Sequence, residues 1–230
     1  MRLNHELQKS DAADPLTEAE WEILLTGNED EVRAAVLAGL DLDRLGPTGH
    51  APALCVVAGV SPCDRLRLLV ELGADVDAQD VGGDTASFHA AREGNLESLS
   101  MLCANGASVD IRGRRGQTAL MAACREGQPD CAAKLIASGA DVSIADDSGL
   151  SSLMHAARGG SESCVDLLLR AGASPSAADK RGRAASSYAF DSSFWQLAAR
   201  LKELEAAARE RAELERAAGA AVIASSARRV

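Results

Sequence analysis

Aromatic residues are scarce in this sequence, and long apolar runs are missing. Only 3 Phe, 2 Trp and 1 Tyr occur among 230 residues. Alanine is abundant, which favours short, closely packed helices over a sheet or a large central core. No run approaches the roughly 18 apolar residues of a membrane-spanning helix. The N-terminal region lacks the apolar run that a signal peptide would have. We therefore expect no membrane span and no secretion.

Six cysteines are present, an even number that would matter in a small secreted protein. Here they fall mostly at positions predicted to be helical, so we interpret them as reduced core thiols. This interpretation predicts a reducing intracellular compartment, the cytoplasm, with the nucleus as an open alternative. Cys124 and Cys131 lie in different predicted helices of one unit, and core packing is favoured over metal binding for both.

Motifs for catalysis are also missing. The sequence has no C-x-x-C pair, no H-E-x-x-H and no phosphate-binding G-x-x-x-x-G-K-[ST] loop. Its four histidines, His5, His50, His89 and His155, are scattered. We expect no catalytic residue, no metal ligand and no cofactor, and we predict that the chain is not an enzyme.

A period of 33 residues is the strongest pattern that is present. Three segments share one order of residues: Gly83-Asp-Thr85…Gly94…Gly106-Ala107, Gly116-Gln-Thr118…Gly127…Gly139-Ala140 and Gly149-Leu-Ser151…Gly160…Gly172-Ala173. In each, a glycine and a Thr or Ser predict the start of one helix, the middle glycine separates it from a second, and Gly-Ala ends the second. A fixed period in this range predicts a solenoid, whose units bury their apolar faces only by stacking.

The second helix of each unit carries its apolar residues in the same columns. Four residues before the closing glycine stand Leu69, Leu102, Leu135 and Leu168, and seven before it stand Leu66, Leu99, Ala132 and Val165. Positions three and four apart share one helical face, so every unit presents its apolar stripe on the same side. His89 and His155 are equivalent positions two units apart, roughly 20 Å at the usual helix spacing, which is too far to share a metal.

At this point the chain resembles the ankyrin-repeat family, whose unit reads G-x-T-P-L-H-x-A-A-x-x-G…L-L-x-x-G-A-D-V-N. The matches include Gly73–Val76 and Gly139–Val142, Thr118-Ala-Leu, and the alanine pairs Ala90-Ala91 and Ala156-Ala157. The resemblance covers about four-fifths of the chain and implies an all-α solenoid of about five helix-turn-helix units. The family's histidine is replaced by Leu54, Phe88, Met121 and Met154, so we expect apolar packing in its place.

The two ends of the array are predicted to differ from its middle. Residues 1–14 are predicted to be a flexible lead-in, and Thr17 with Glu20 predicts a capping box at the first helix of an acidic terminal repeat. The interval from Gly39 to Gly73 is one residue longer than 33, and we place the extra residue in Ala58–Pro62. The repeat domain is predicted to span 15–204. A long helix is expected from a cap at Asp191–Ser193 to Gly219, so that 205–230 forms a projecting helix and a mobile tail.

Charge is distributed unevenly along the chain. Net charge is −7 over residues 1–45, with 11 acids against 4 bases, −4 over 46–190, and +1 over 191–230. In ankyrin proteins the turn tips and the ends of the first helices form the usual contact surface. By position, the resemblance implies these partner-binding residues: Arg92, Arg112, Arg114, Arg115, Gln117, Arg125, Arg158, Lys180, Arg181 and Arg183.

Two interpretations of these residues remain open, since loop tips are commonly polar whatever their function. The functional one is a basic groove that binds an acidic segment of a protein partner. Nucleic acid is disfavoured by the net charge of −10. The resemblance therefore implies a non-catalytic adaptor, scaffold or assembly subunit. The alternative is a structural subunit or oligomer that acts through the C-terminal helix, although that helix sustains no heptad; the oligomeric state stays open.

Overall fold

Short helices in consecutive pairs build the whole of the described chain. The computed structural model describes residues 14–60 and 63–227. Its helices are α1 (Glu18–Thr26), α2 (Glu29–Leu37), α3 (Ala53–Ala58), α4 (Asp64–Glu71), α5 (Ala86–Glu93), α6 (Leu96–Ala104), α7 (Ala119–Arg125), α8 (Pro129–Ala137), α9 (Ser152–Gly159), α10 (Glu162–Arg170), α11 (Ala185–Asp191) and α12 (Trp195–Ala227). Within the described residues these form six helix pairs when the N-terminal pair α1/α2 is counted. The predicted all-α solenoid with a long C-terminal helix is confirmed.

The pairs stack in chain order. Each odd-numbered helix from α3 to α11 packs on the next odd-numbered helix, and α6, α8 and α10 pack in a second row. We call the odd-numbered row the inner helices and the even-numbered row the outer helices. Because α12 packs against α11, it completes the sixth pair before it continues beyond the stack.

The predicted apolar columns form the core. The column of Leu69, Leu102, Leu135 and Leu168 is fully buried and continues to Leu201, and the column of Leu66, Leu99, Ala132 and Val165 is equally buried. At roughly 1.5–3 kcal/mol for each large apolar side chain taken out of water, these columns are the main stabilising contribution that stacking supplies. A single pair would leave them exposed, which is why the array folds as a unit.

The closing glycines are required by backbone conformation. Gly139 has φ +94°, and an added Cβ would meet no atom within 4 Å. Any cost of substitution there is therefore backbone strain, since L-residues with a side chain disfavour the left-handed region.

Replacing Gly139 by Val is expected to destabilise the array by more than about 1 kcal/mol, because a β-branched residue is forced into that region. Thermal unfolding followed by circular dichroism measures the effect. Gly139→Asn is the matched control, because Asn tolerates the left-handed region and should lose less. Equal melting temperatures for Gly139→Val and the parent would contradict the assignment.

The extra residue of the irregular unit lies elsewhere than predicted. Pro52 and Thr85 stand equally far before their closing glycines, Gly73 and Gly106, so the helix-helix turn has no insertion. The bridge Leu45–Pro52 spans one residue more than the bridge Gln79–Thr85, which places the extra residue in the hairpin. The placement in Ala58–Pro62 is wrong for its described part; Ser61 and Pro62 lie outside the described residues. Consequently Cys55, not Leu54, stands in the histidine column. A surface hairpin accepts an extra residue without disturbing the packed helices.

The N-terminal cap is as predicted, whereas both ends of the last helix differ from the prediction. The capping box of Thr17 and Glu20 is confirmed, while residues 1–13 lie outside the described residues. The last helix begins at Trp195 rather than at Asp191–Ser193. Ser193 has φ +68°, a left-handed conformation that separates α11 from α12. It also continues past Gly219 to Ala227, so the tail is helical there. One glycine costs only about 1 kcal/mol inside an alanine-rich helix.

The residues that α12 buries also differ from the expectation. The helical spacing of Phe194, Trp195, Ala198 and Leu201 predicts one buried face, but Phe194 and Trp195 are 39% and 57% exposed, whereas Leu197, Ala198 and Leu201 are buried. Glu205, the first residue of the predicted projecting segment, is buried as well. Its carboxylate accepts hydrogen bonds from the backbone amide and the hydroxyl of Ser186, both 2.9 Å. Glu205 therefore caps the N-terminus of α11, which has no capping side chain of its own.

Candidate functional site

The inner helices and the hairpin tips between pairs form one continuous surface. Four tips follow one another at Asp80–Asp84, Gly113–Gln117, Asp146–Leu150 and Asp179–Arg183. Neighbouring tips are tied by their backbones: the amide of Asp147 donates to the carbonyl of Arg115 at 2.9 Å, and the amide of Lys180 donates to that of Ser148 at 3.2 Å. These hydrogen bonds hold the tips in a fixed row beside the inner helices. We call this the tip surface.

An aspartate at the start of three tips fastens the tip to its own inner helix. One carboxylate oxygen of Asp146 accepts from the backbone amides of Ser148 and Leu150, at 2.8 and 2.9 Å. Its other oxygen accepts from Nε2 of the buried His155 on α9, at 3.1 Å. Asp80 repeats the arrangement with His89, at 3.0 Å. Asp179 repeats it with the Tyr188 hydroxyl as donor. We call these contacts the aspartate staples.

The tip Gly113–Gln117 lacks a staple. Gly113 stands where the other tips have aspartate, and Ala122 stands where they have histidine or tyrosine. A Cβ at Gly113 would lie 2.1 Å from the Asp84 carboxylate, so no aspartate fits there. Instead Asp84 accepts a hydrogen bond from the backbone amide of Arg114 at 2.8 Å. This tip is therefore tied to the preceding tip rather than to its own inner helix.

The pKa values of His155 and Asp179 are shifted by burial and by hydrogen bonds. Burial lowers the pKa of His155 below its ordinary value of 6.5, although the hydrogen bond to Asp146 opposes the shift. Burial disfavours the charged form of Asp179. The hydrogen bonds from Tyr188 and from the backbone and guanidinium of Arg183 outweigh that burial and lower the pKa of Asp179 to about 2. At neutral pH His155 is therefore uncharged and Asp179 is ionised.

Several of the predicted partner-binding arginines are already paired. Arg92 contacts Glu93 at 2.9 Å and Arg125 contacts Glu126 at 2.8 Å. Arg125 also donates to Gln117, at 3.3 Å. Pairs of this kind, a third to a half exposed, contribute little to stability, but they hold the guanidinium beside a carboxylate.

The other arginines with structural contacts lie on the tips. Arg112 bridges two tips by contacting Asp147 at 3.2 Å and the carbonyl of Ala145 at 2.8 Å. Arg183 contacts Asp179 and Asp191, both at 3.3 Å, and its guanidinium lies 4.3 Å from the centre of the Tyr188 ring. Arg114 and Arg115 are exposed on the tip that lacks a staple.

Four of the predicted residues come together at a cleft between the last two tips. The cleft has a volume of about 420 Å³ and is lined by Arg158, Lys180, Arg181 and Arg183. Two carboxylates, Asp147 and Asp179, also line it, and they are paired with Arg112 and Arg183. Arg158 is exposed at the end of α9, and Lys180 and Arg181 are exposed on the last tip. Within the described part of the chain, these three side chains have no carboxylate at ion-pairing distance. We call this the basic cleft.

Comparison with known proteins identifies the architecture. The family model described as "Ankyrin repeats (3 copies)" matches residues 53–146 and 109–179, which together cover more than half of the chain. The chain belongs to the ankyrin-repeat family. Ankyrin repeats are generally modules of protein-protein interaction. No curated protein sequence matches the chain.

Most cysteines of this ankyrin array are buried, and burial strongly raises the pKa values of two of them. Cys103 is half-buried and the other five cysteines are buried. Burial raises the pKa of Cys55 to about 12 and that of Cys131 to about 11, so both are thiols at neutral pH. Among residues 14–60 and 63–227, no group of three or more His, Cys, Asp and Glu could hold a metal. No helix of that part of the chain is long and apolar enough to cross a membrane.

The aspartate staples are the feature of the ankyrin tips that sequence reasoning missed. Their signal was present as Asp80, Asp146 and Asp179 at the repeat period, each followed nine residues later by His89, His155 or Tyr188. The equivalence of the two histidines is visible in the sequence, but it does not by itself name their partners. Their actual partners are aspartates of the same repeats, 3.0 and 3.1 Å away.

Proposed function

We propose that this ankyrin protein is a non-catalytic binding module, an adaptor or assembly subunit, that holds a protein partner on its tip surface. The general role of ankyrin repeats as interaction modules supports the class of function. The observation that carries the proposal is the basic cleft, where Arg158, Lys180 and Arg181 face solvent without a carboxylate partner among the described residues.

The chemistry of the cleft favours an acidic segment as the ligand. Guanidinium groups bind carboxylates through two parallel hydrogen bonds, and an arginine without a partner loses no existing ion pair when such a ligand arrives. Arg92, Arg112 and Arg125 would first have to leave their own carboxylates. The proposed contact is therefore centred on the last two tips, with Arg114, Arg115 and Gln117 at its edge.

Electrostatics also orients the partner along the array. The net charge of −7 over residues 1–45 repels an acidic segment from the first pair. The chain's net charge of −10 likewise opposes phosphate backbones. Tyr188 lines the cleft, but the Arg183 guanidinium lies over its ring, so that face is not free to stack a base. We propose binding of protein rather than nucleic acid, without a cofactor, in the cytoplasm.

Charge reversal of the cleft tests this proposal. Arg158→Glu with Arg181→Glu is expected to weaken binding of a short fluorescein-labelled peptide rich in Asp and Glu by about tenfold or more. Fluorescence anisotropy measures it, and the parent's binding should weaken with salt, since screening acts over about 10 Å at 0.1 M.

The matched control is Arg67→Glu with Arg170→Glu, which makes the same change of charge at two exposed positions on outer helices. This control should keep most of the parent's affinity. Equal losses of affinity in the two double variants would show that net charge alone causes the effect. The cleft would then not be the binding site.

A second candidate function is assembly through the distal part of α12. Leu214 is 66% exposed there, and residues 191–230 carry a net charge of only +1, so self-repulsion is small. Sedimentation velocity of the full chain and of a chain cut after Ala206 decides this. An oligomer that dissociates on truncation would favour assembly.

A further inference from the structure

Two aromatic side chains stand exposed at the C-terminal end of the stack. Phe190, near the end of α11, and Trp195, the first residue of α12, are each 57% exposed. Their rings meet edge to face, with centroids 4.7 Å apart and planes at 85°. The chain has only six aromatic residues, so two of them standing exposed side by side call for an explanation.

The repeat columns show that this pair is not an ordinary part of a cap. Phe190 stands in the column of Ala91, Cys124 and Ala157, all completely buried between stacked pairs. At the end of an array the outer face is expected to become polar. Ser187 and Lys202 follow that rule, since they replace Met154 and Leu169 of the preceding pair. Phe190 does not follow this rule. It places a large apolar side chain at the end of the array, where no further repeat covers it.

The aromatic pair forms one wall of a groove between α11 and α12. The groove has a volume of about 600 Å³. Ala198 and Ala199 also line it, with Asp191 and Lys202 as its charged residues. We call this the end groove. Its apolar lining suits a bulky aliphatic or aromatic side chain.

The end groove lies next to the basic cleft. Asp191 lines the groove and pairs with Arg183, which lines the cleft, at 3.3 Å. The two sites therefore lie on either side of α11. One helix-packing distance of about 10 Å separates such positions, and three residues of extended chain span it at about 3.3 Å each.

We propose that the end groove binds a bulky apolar side chain of the same acidic segment that the basic cleft holds, about three residues from its carboxylates. This inference rests on the proposed function of the cleft and adds the specificity of the ligand. The cleft supplies charge, which many acidic segments satisfy. The groove supplies an apolar anchor site, which only a segment with that side chain at that distance fills.

Charge favours this occupant over a second copy of the chain. Lys202 has no carboxylate at ion-pairing distance among the described residues, whereas Asp191 is already paired with Arg183, so the free charge at the rim of the groove is a cation that attracts an anionic ligand. A symmetric contact between two copies would instead bring two such cationic rims together.

Intrinsic fluorescence gives a direct probe, because the chain has only two tryptophans. In the full chain with Trp21→Phe, the emission comes from Trp195 in the end groove. The probes are three labelled peptides: an Asp/Glu block followed after three residues by Leu, the same peptide with Ala for Leu, and the Leu peptide with Asn and Gln for the acids. We expect the acidic Leu peptide to bind roughly 10- to 100-fold more tightly than the Ala peptide and to shift Trp195 emission to the blue.

Substitution in the groove separates the two sites. Phe190→Ser should abolish the preference for Leu over Ala while leaving affinity for the Ala peptide unchanged, with Trp195→Gln as a second variant. Leu37→Ser is the matched control, because Leu37 is 89% exposed on α2 at the other end of the array. Circular dichroism establishes that each variant is folded.

Each other outcome has a definite meaning. If both acidic peptides bind equally well, the groove proposal is overturned and the function proposed for the cleft stands. If the Leu peptide binds equally without its acids, the coupling of the two sites is overturned. If no acidic peptide binds, both proposals fail. If Phe190→Ser dissociates a dimer in sedimentation velocity, the groove is an interface between copies and the peptide proposal is wrong.

Discussion

Cutting the chain after Phe190 is expected to unfold or aggregate the whole repeat array. The truncation removes α12, which packs against α11, and with it the buried Leu197 and Leu201. At roughly 1.5–3 kcal/mol each, their loss amounts to about 3 kcal/mol or more before the newly exposed face of α11 is counted. That is a large fraction of the 5–15 kcal/mol typical of a folded domain. Size-exclusion chromatography and thermal unfolding measure the effect.

Two chains that are cut further along α12 locate the end of the stabilising contacts. A chain cut after Ala206 keeps Glu205 and should melt close to the parent. A chain cut after Leu204 loses the carboxylate that caps α11, and should be destabilised by about 1–2 kcal/mol. Glu205→Ala in the full chain should reproduce that loss. If the cut after Ala206 unfolds the protein, the distal helix contributes to the fold and the predicted boundary at 204 is misplaced.

Replacing Asp146 by Ala is expected to destabilise the array by about 3 kcal/mol or more. The substitution leaves the backbone amides of Ser148 and Leu150 and the ring of His155 without their acceptor. Each buried donor left unpaired costs about 1–3 kcal/mol. Urea unfolding measures the free energy. Asp147→Ala is the matched control, because Asp147 is exposed and its pair with Arg112 is a surface pair. Equal losses at the two positions would contradict the staple.

The same staple predicts a dependence on pH. The folded-state pKa of His155 is depressed, so the unfolded chain binds a proton more readily than the folded one. Stability should therefore fall as pH drops below about 6.5, the ordinary histidine pKa. His155→Gln keeps a donor for Asp146 but cannot titrate, and its stability should change less between pH 7 and pH 5. Identical pH profiles of parent and variant would show that His155 does not contribute.

The candidate site shows what the repeat period can predict and what it cannot. Every predicted basic residue of the last tip lies at the basic cleft, because the repeat spacing fixes which residues occupy each tip. Periodicity could not tell Arg158 from Arg125, which occupy the same column. Arg125 is held by Glu126, whereas the residue after Arg158 is Gly159. The difference depends on which side chains meet.

The sequence alone determined the solenoid, its core columns and its closing glycines, because each follows from spacing within one unit. Only the tertiary structure decided the position of the extra residue near Pro52, the capping of α11 by Glu205 and the exposure of Phe190 and Trp195. Each of these depends on contacts between pairs or on the end of the stack. A repeat pattern specifies what every unit shares. It therefore gives no information about contacts that only one unit makes.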